Sequence, residues 1–304
     1  MNFINCERES GGIENKILEV CDRHILVFGE EIQKLLSRLT IGVICVGGLG
    51  SILIEQLMRL YPGKLVIIDN DIVEDSNLNR LTNSFPIDAA LKVHKVDLMK
   101  RAILKFNSGQ KITAIHGDFL EAKNQSQFRE CDYIFGATDS NPVRLSANRL
   151  CLAHGITYFD CGVGANVEKL KLISAGGQVI IIEPGSGFCL HCSGMFNVQE
   201  AMNELLPADE KKRLEERGYI KGENITAPQV YSLNMMVASQ AVWLFMRMLS
   251  GEALNFDGIA IDAKTFKTYV WKEATKRNNK CPTCGEYGIA MGGDVVDLLT
   301  RVES

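Results

Sequence analysis

The stretch IGVICVGGLGSILIEQL, residues 41–57, constrains this 304-residue chain more than any other. An apolar run, Val43-Ile44-Cys45-Val46, is followed by Gly47, Gly48 and Gly50 and then by an apolar helical pattern. A buried strand that enters a helix through a glycine-rich turn presents unpaired N–H groups at the helix N-terminus, where the helix dipole favours phosphate. The turn departs from the G-x-G-x-x-G fingerprint at its first position. Cys45 stands where a glycine is expected, and a β-carbon there disfavours some of the dihedrals that a tight turn uses.

Around this turn the chain alternates. Helical periodicity over 13–40 precedes the strand at 41–46, and after a helix at about 50–61, Pro62-Gly63 leads into the strand KLVIIDND. Helical patterns near 91–107, 121–130 and 142–154 then alternate with strands at 111–116, 131–139 and 156–162. Strands and helices at this spacing predict an α/β, Rossmann-like fold: a mostly parallel sheet with helices on both faces, binding its ligand at the carboxyl ends of the strands. Beyond Gly162 the pattern changes to a sheet extension with two short strands near 257–262 and 267–272. The division expected is a helical segment at 1–40, a single domain over 41–285 with a long connection at about 193–228, and a tail at 286–304.

Composition excludes several classes. A hydrophobic content of 46% suits a chain that buries a substantial core, and a net charge of -4 gives no reason to expect nucleic acid as a partner. The longest apolar segment, 231–249, is interrupted by Ser, Asn, Gln and Arg, so it reads as a buried helix and not a membrane span. The first sixteen residues lack a basic region followed by an apolar core, which makes the cytoplasm the default location.

Of ten cysteines, four form two C-x-x-C pairs, Cys189/Cys192 and Cys281/Cys284, while the others are scattered. In a reducing compartment a disulfide framework is not expected, and two paired knuckles supply the four thiolates of a closed tetrahedral zinc site. Such a site has no open position for water, so its role is structural: it clamps the chain near 190 to the chain near 282. His191, inside the first pair, is expected to be a bystander.

The reacting groups are sought behind the second strand. Asp69 follows Gly50 by 19 residues and ends that strand, where an acid accepts hydrogen bonds from a ribose hydroxyl. To this point a nicotinamide dehydrogenase fits equally well. Asn77, Arg80 and Lys92 then follow in order, as they would to neutralise a triphosphate, and Asp139 in GATDS is placed to hold magnesium against phosphate oxygens. Each has a plainer alternative: Asn77 as a helix cap, Arg80 and Lys92 as solvated cations, Asp139 as the N-cap of the next helix.

With VGGLGS, DNDIVEDSNLNR, Lys92, ATDS, the two cysteine pairs and DRHILVFGEEIQKLL before the first strand, the chain resembles the ThiF/MoeB/HesA family, bacterial relatives of ubiquitin-activating enzymes. The resemblance implies adenylation, with ATP, Mg2+ and a structural Zn2+, of the C-terminal carboxylate of a ubiquitin-like or sulfur-carrier protein or a peptide. It implies that Gly47, Gly48 and Gly50 bring the backbone to the phosphates and that Asp69 binds the ribose. Asn77 and Arg80 would contact the nucleotide, Lys92 would neutralise phosphate charge, and Asp139 would hold magnesium. Arg23 matches an arginine that reaches into a partner subunit, which implies a homodimer. The chain departs from thioester-forming members because residues 193–280 contain no cysteine. Of the scattered thiols, only Cys161 is expected near the site, and a buried core thiol is its plainer reading. Three other readings stand beside the leading one: a tRNA-modifying dehydratase of the same fold, a non-catalytic heterodimer partner, and a nicotinamide oxidoreductase.

Overall fold

The computed structural model describes residues 17–194, 198–205, 228–272, 278–290 and 292–293. The expected connection at 193–228 and tail at 286–304 lie largely outside them. Two short helices, α1 (Asp22–Phe28) and α2 (Glu30–Leu36), precede the first strand. The periodicity of 13–40 suggests one continuous preamble, but Gly29 adopts φ 88 and breaks it in two.

The core is an eight-stranded sheet of order β3-β2-β1-β4-β5-β6-β7-β8. The strands β1 (Thr40–Ile44), β2 (Lys64–Asp69), β3 (Lys111–His116), β4 (Tyr133–Gly136) and β5 (Thr157–Glu168) run parallel. The extension β6 (Lys171–Ile182), β7 (Gly258–Asp262) and β8 (Lys267–Trp271) is antiparallel. Strand order reverses between β1 and its two neighbours, β2 and β4, and a crevice forms outside the carboxyl ends of the strands at such a switch point. β5 continues well past the expected end at Gly162. Its second half pairs with β6 around Lys169-Leu170, both at positive φ as a two-residue hairpin turn requires. That half was hard to read in the sequence because it is largely exposed and carries no apolar alternation.

Helices cover both faces. On one face, α3 (Gly48–Met58) and the long helix α10 (Tyr231–Leu249) pack on each other and on the sheet in the larger apolar cluster. The expected apolar helix at 231–249 therefore forms over its whole length, as a core element. Phe245 of α10 meets Tyr133 and Phe135 edge-on at centroid distances of 4.9 and 5.7 Å, and Phe135 stacks on Phe159 at 4.7 Å. Such pairs add about 0.5–1.5 kcal/mol each beyond their burial. On the other face lie α7 (Asn141–His154) and the two cysteine knuckles, in a second cluster. Between these helices come α4 (Pro86–Ala90), α5 (Lys95–Phe106) and α6 (Ala122–Ser126), and after β6 the short α8 (Leu190–Ser193) and α9 (Val198–Glu204).

The glycine turn is held by contact. A β-carbon at Gly50 would lie 1.9 Å from the Cys45 carbonyl oxygen, so only glycine lets α3 start this close to β1. Gly47 has open space around the same position. Gly50→Ala is therefore expected to destabilise the fold by about 3 kcal/mol or more, whereas Gly47→Ala stays within about 1 kcal/mol. Urea denaturation of both variants checks this; equal midpoints would contradict it.

Candidate functional site

A cleft of about 900 Å³ opens at the switch point, large enough for a nucleotide. Its floor is the turn itself, with Cys45, Gly47, Gly48 and Leu49 lining it. Cys45 takes φ 70, the left-handed conformation that the missing glycine would have entered freely. For a residue with a β-carbon this is disfavoured by about 1 kcal/mol or more. Burial pushes its thiol up to about 12, so it is a poor nucleophile at neutral pH.

At the end of β2, Asp69 is almost buried and both its oxygens accept backbone hydrogen bonds, Oδ2 from Val46 N at 2.6 Å and Oδ1 from Asp71 N at 2.8 Å. One carboxylate thus joins the turn after β1 to the loop after β2. Each oxygen has a further lone pair, and the residue lines the cleft, so a ribose hydroxyl can still be received there. Loss of hydration raises the carboxyl above its ordinary range, and the Lys95 ammonium opposes that rise.

Lys95 is the residue that the sequence reading missed. The first residue of α5, it is 9% exposed, lines the cleft, and pairs with Asp71 Oδ2 at 2.6 Å. Lys92, to which the phosphate role was assigned, sits at φ 51 in the turn after α4. It is exposed to solvent and lies outside the cleft lining. Three residues further on, Lys95 reaches the cleft lining that Lys92 does not, because the next helix begins only there.

Asn77 and Arg80 line the cleft. Asn77 also caps, as its alternative reading held, since its Oδ1 accepts from Glu74 N at 3.2 Å. Arg80 Nη1 donates to Ser76 O at 2.5 Å and Asn79 Oδ1 at 3.1 Å, and its stem lies over Gly48. Asp139, just past β4, also lines the cleft. It is exposed and accepts no hydrogen bond among the described residues, and the N-cap position of α7 is taken by Ser140. Its carboxylate is thus free to hold a divalent cation. Gly50 packs beneath the turn and Arg23, 85% exposed and 3.6 Å from Asp22, lies elsewhere on the surface; neither lines the cleft.

The far wall is built from the β5–β6 hairpin, including Gly162, Gly164, Gly176 and Gly177. Arg144 also lines the cleft and pairs with the buried Asp160 through Nε to Oδ1 at 2.9 Å and through Nη2 to Oδ2, and Tyr158 donates to the same carboxylate at 3.1 Å. An acid inside the apolar strand YFDCG demands such a partner, and that was the signal for Arg144. Cys161 is 1% exposed and burial raises its thiol well above the ordinary range.

The four paired cysteines meet on the opposite face. Their sulfurs all lie within 4.8 Å of one another, with Cys189 3.8 Å from both Cys192 and Cys281 and Cys192 3.6 Å from Cys284. Four thiolates at about 2.3 Å from a tetrahedral zinc ion stand about 3.8 Å apart, so the cluster could hold zinc. His191 is not a simple bystander: its Nδ1 lies 3.1 Å from Thr283 Oγ1 and ties one knuckle to the other.

A sequence profile of the ThiF family matches residues 21–284. The chain belongs to the ThiF family. It is 29% identical over 177 residues to ubiquitin-like modifier-activating enzyme 5 of Drosophila willistoni, which covers 54% of this chain and 41% of that protein. It is also 29% identical over 151 residues to SUMO-activating enzyme subunit 2 of Dictyostelium discoideum, covering 49% of this chain and 21% of that one. The match therefore spans less than half the length of these relatives. Among solved structures, E. coli MccB with ATP has a TM-score of 0.66 at 19% identity, over 88% of this chain and 74% of that chain. PaaA has a TM-score of 0.58 at 18% identity, over 84% and 82%. At these identities the two structures share its fold. No helix among the described residues is long and apolar enough to cross a membrane.

The purified chain is expected to carry about one equivalent of zinc. Cys281→Ser should lose the metal and several degrees of melting temperature while the β1–β2 half of the sheet stays folded. Elemental analysis with calorimetry checks this, and a metal-free protein of unchanged stability would contradict it.

Proposed function

We propose that this ThiF-family chain is an adenylyltransferase that uses ATP to activate a carboxylate. The observation that carries the reading is the meeting, in one cleft, of a helix N-terminal turn, three cations, Arg80, Lys95 and Arg144, and an exposed acid, Asp139. A hydride transfer has no need of that arrangement. Phosphates seat on the N–H groups at Gly47–Leu49, Asp69 receives the ribose, and Lys95 and Arg80 draw off negative charge. Asp139 would hold Mg2+, which neutralises phosphate oxygens when bound. The substrate carboxylate oxygen attacks the α-phosphorus and the bond to the pyrophosphate oxygen breaks, leaving an acyl adenylate and pyrophosphate. Catalysis of this kind is positioning and charge stabilisation in a fixed site.

The substrate in this reading is the C-terminal carboxylate of a ubiquitin-like or sulfur-carrier protein or a peptide. The wall of four glycines leaves room for an extended, slender tail beside the nucleotide. Residues 193–280 contain no cysteine, and Cys45 and Cys161 are held protonated by burial, so the adenylate passes to an external nucleophile without an internal thioester. The reading further takes 41–285 as one adenylation domain with a connection over about 193–228 that receives the substrate tail. It takes the working form as a cytoplasmic homodimer in which Arg23, exposed here, serves the partner's site.

ATP–pyrophosphate exchange with candidate carrier proteins and peptides tests the reading. Lys95→Ala and Asp139→Ala are expected to lower exchange by about 10²- to 10³-fold, and Lys92→Ala to leave it within about twofold, as a solvated cation should. Loss at Lys92 with none at Lys95 would reverse the assignment. Absence of exchange with every carboxylate substrate would contradict the function.

A further inference from the structure

Asn234 stands in the first turn of α10 and is completely buried. Among the described residues neither its Oδ1 nor its Nδ2 has a hydrogen-bond partner. A carboxamide that leaves water without gaining partners is disfavoured, and an aliphatic side chain of the same size would fill the place at less expense. Its surroundings explain why an amide stands there. A β-carbon built on Gly48 would come within 2.6 Å of Asn234 Nδ2 and within 3.2 and 3.3 Å of Cγ and Cδ of Arg80. The amide, the first residue of α3 and the Arg80 stem thus meet at one point beneath the cleft floor. The same turn of α10 is tied to the cleft twice more: Gln229 just before it lines the cleft, and Tyr231 Oη donates to Thr82 Oγ1 at 3.4 Å, two residues beyond Arg80.

We propose that Asn234 is a positioning residue for the phosphates of a bound nucleoside triphosphate. It seats the Gly48 end of α3 and the Arg80 stem, and its orphaned amide gains partners from the turn and the guanidinium when phosphate draws them in. Arg80 now donates to two neutral acceptors, Ser76 O and Asn79 Oδ1. Phosphate oxygens compete successfully for such donors because charge-assisted hydrogen bonds are the stronger, and any swing of the guanidinium pivots on the stem that packs beside Gly48, where Asn234 also lies. The inference rests on the adenylation reading for the identity of its ligand.

Thermal melting and equilibrium titration with Mg·ATP, on wild type, Asn234→Leu and Asn234→Asp, test it. Without nucleotide, Asn234→Leu should melt at or above the wild-type temperature, because the unpaired amide is gone. Its Kd for ATP should nevertheless rise about tenfold, which is 1.4 kcal/mol, and in pyrophosphate exchange KM for ATP should rise more than kcat falls. A residue with only a structural role would move stability and affinity in the same direction. Asn234→Asp keeps the shape but sets a carboxylate behind the phosphates, and should weaken ATP by more than tenfold. If the leucine variant does not fold, the aspartate variant decides: unchanged ATP affinity overturns the proposal. Wild type that binds Mg·ATP while both variants bind equally well overturns the role of Asn234 alone. Wild type that fails to bind Mg·ATP contradicts the adenylation reading and this inference with it.

Discussion

The site depends on one buried carboxylate. Asp69 accepts the backbone N–H of Val46 and of Asp71, so a single side chain fixes the turn after β1 against the loop after β2. Nearly out of water, its charged form is disfavoured by burial and supported by those donors and the Lys95 ammonium. The same arrangement brings Lys95 into the cleft, held by Asp71 at 2.6 Å. The cation that enters the cleft is thus held by Asp71, whose own N–H is held by Asp69. Neither could be moved without disturbing the other.

The turn that Asp69 holds carries strain that the rest of the fold supports. Cys45 remains at φ 70 because β1 on one side and the close start of α3 on the other leave no second path for the chain. On the opposite face, the paired cysteines join the chain near 190 to the chain near 282, and Asn148 of α7 accepts from Leu190 N at 3.0 Å. That contact links the knuckles to the helix that begins just after Asp139. The cysteine cluster and the cleft are therefore braced through one helix, although they share no residue.

Much of this was legible in the sequence, for physical reasons that differ by element. The parallel half of the sheet was readable because fully buried strands such as KLVIID are continuous apolar runs between turn signals. The cysteine pairs were readable because spacing alone gives ligand geometry. The outer half of the β5–β6 hairpin was not, since exposed strand residues need no apolar pattern. Lys92 and Lys95 could not be separated by composition or order: three residues apart, they differ in burial, and that is set by where α4 ends and α5 begins. The orphaned amide of Asn234 was invisible for the same reason, as its neighbours Gly48 and Arg80 are remote in sequence.

The central claim is that the β1–α3 turn receives the phosphates of ATP while Asp69 receives its ribose. A crystal structure of the chain with Mg2+ and a non-hydrolysable ATP analogue tests it most directly. The account expects phosphate oxygens on the N–H groups of Gly48 and Leu49, Lys95 turned from Asp71 toward them, and a ribose hydroxyl on Asp69. A nucleotide bound away from the turn, or one whose phosphates meet neither Lys95 nor Arg80, would contradict it.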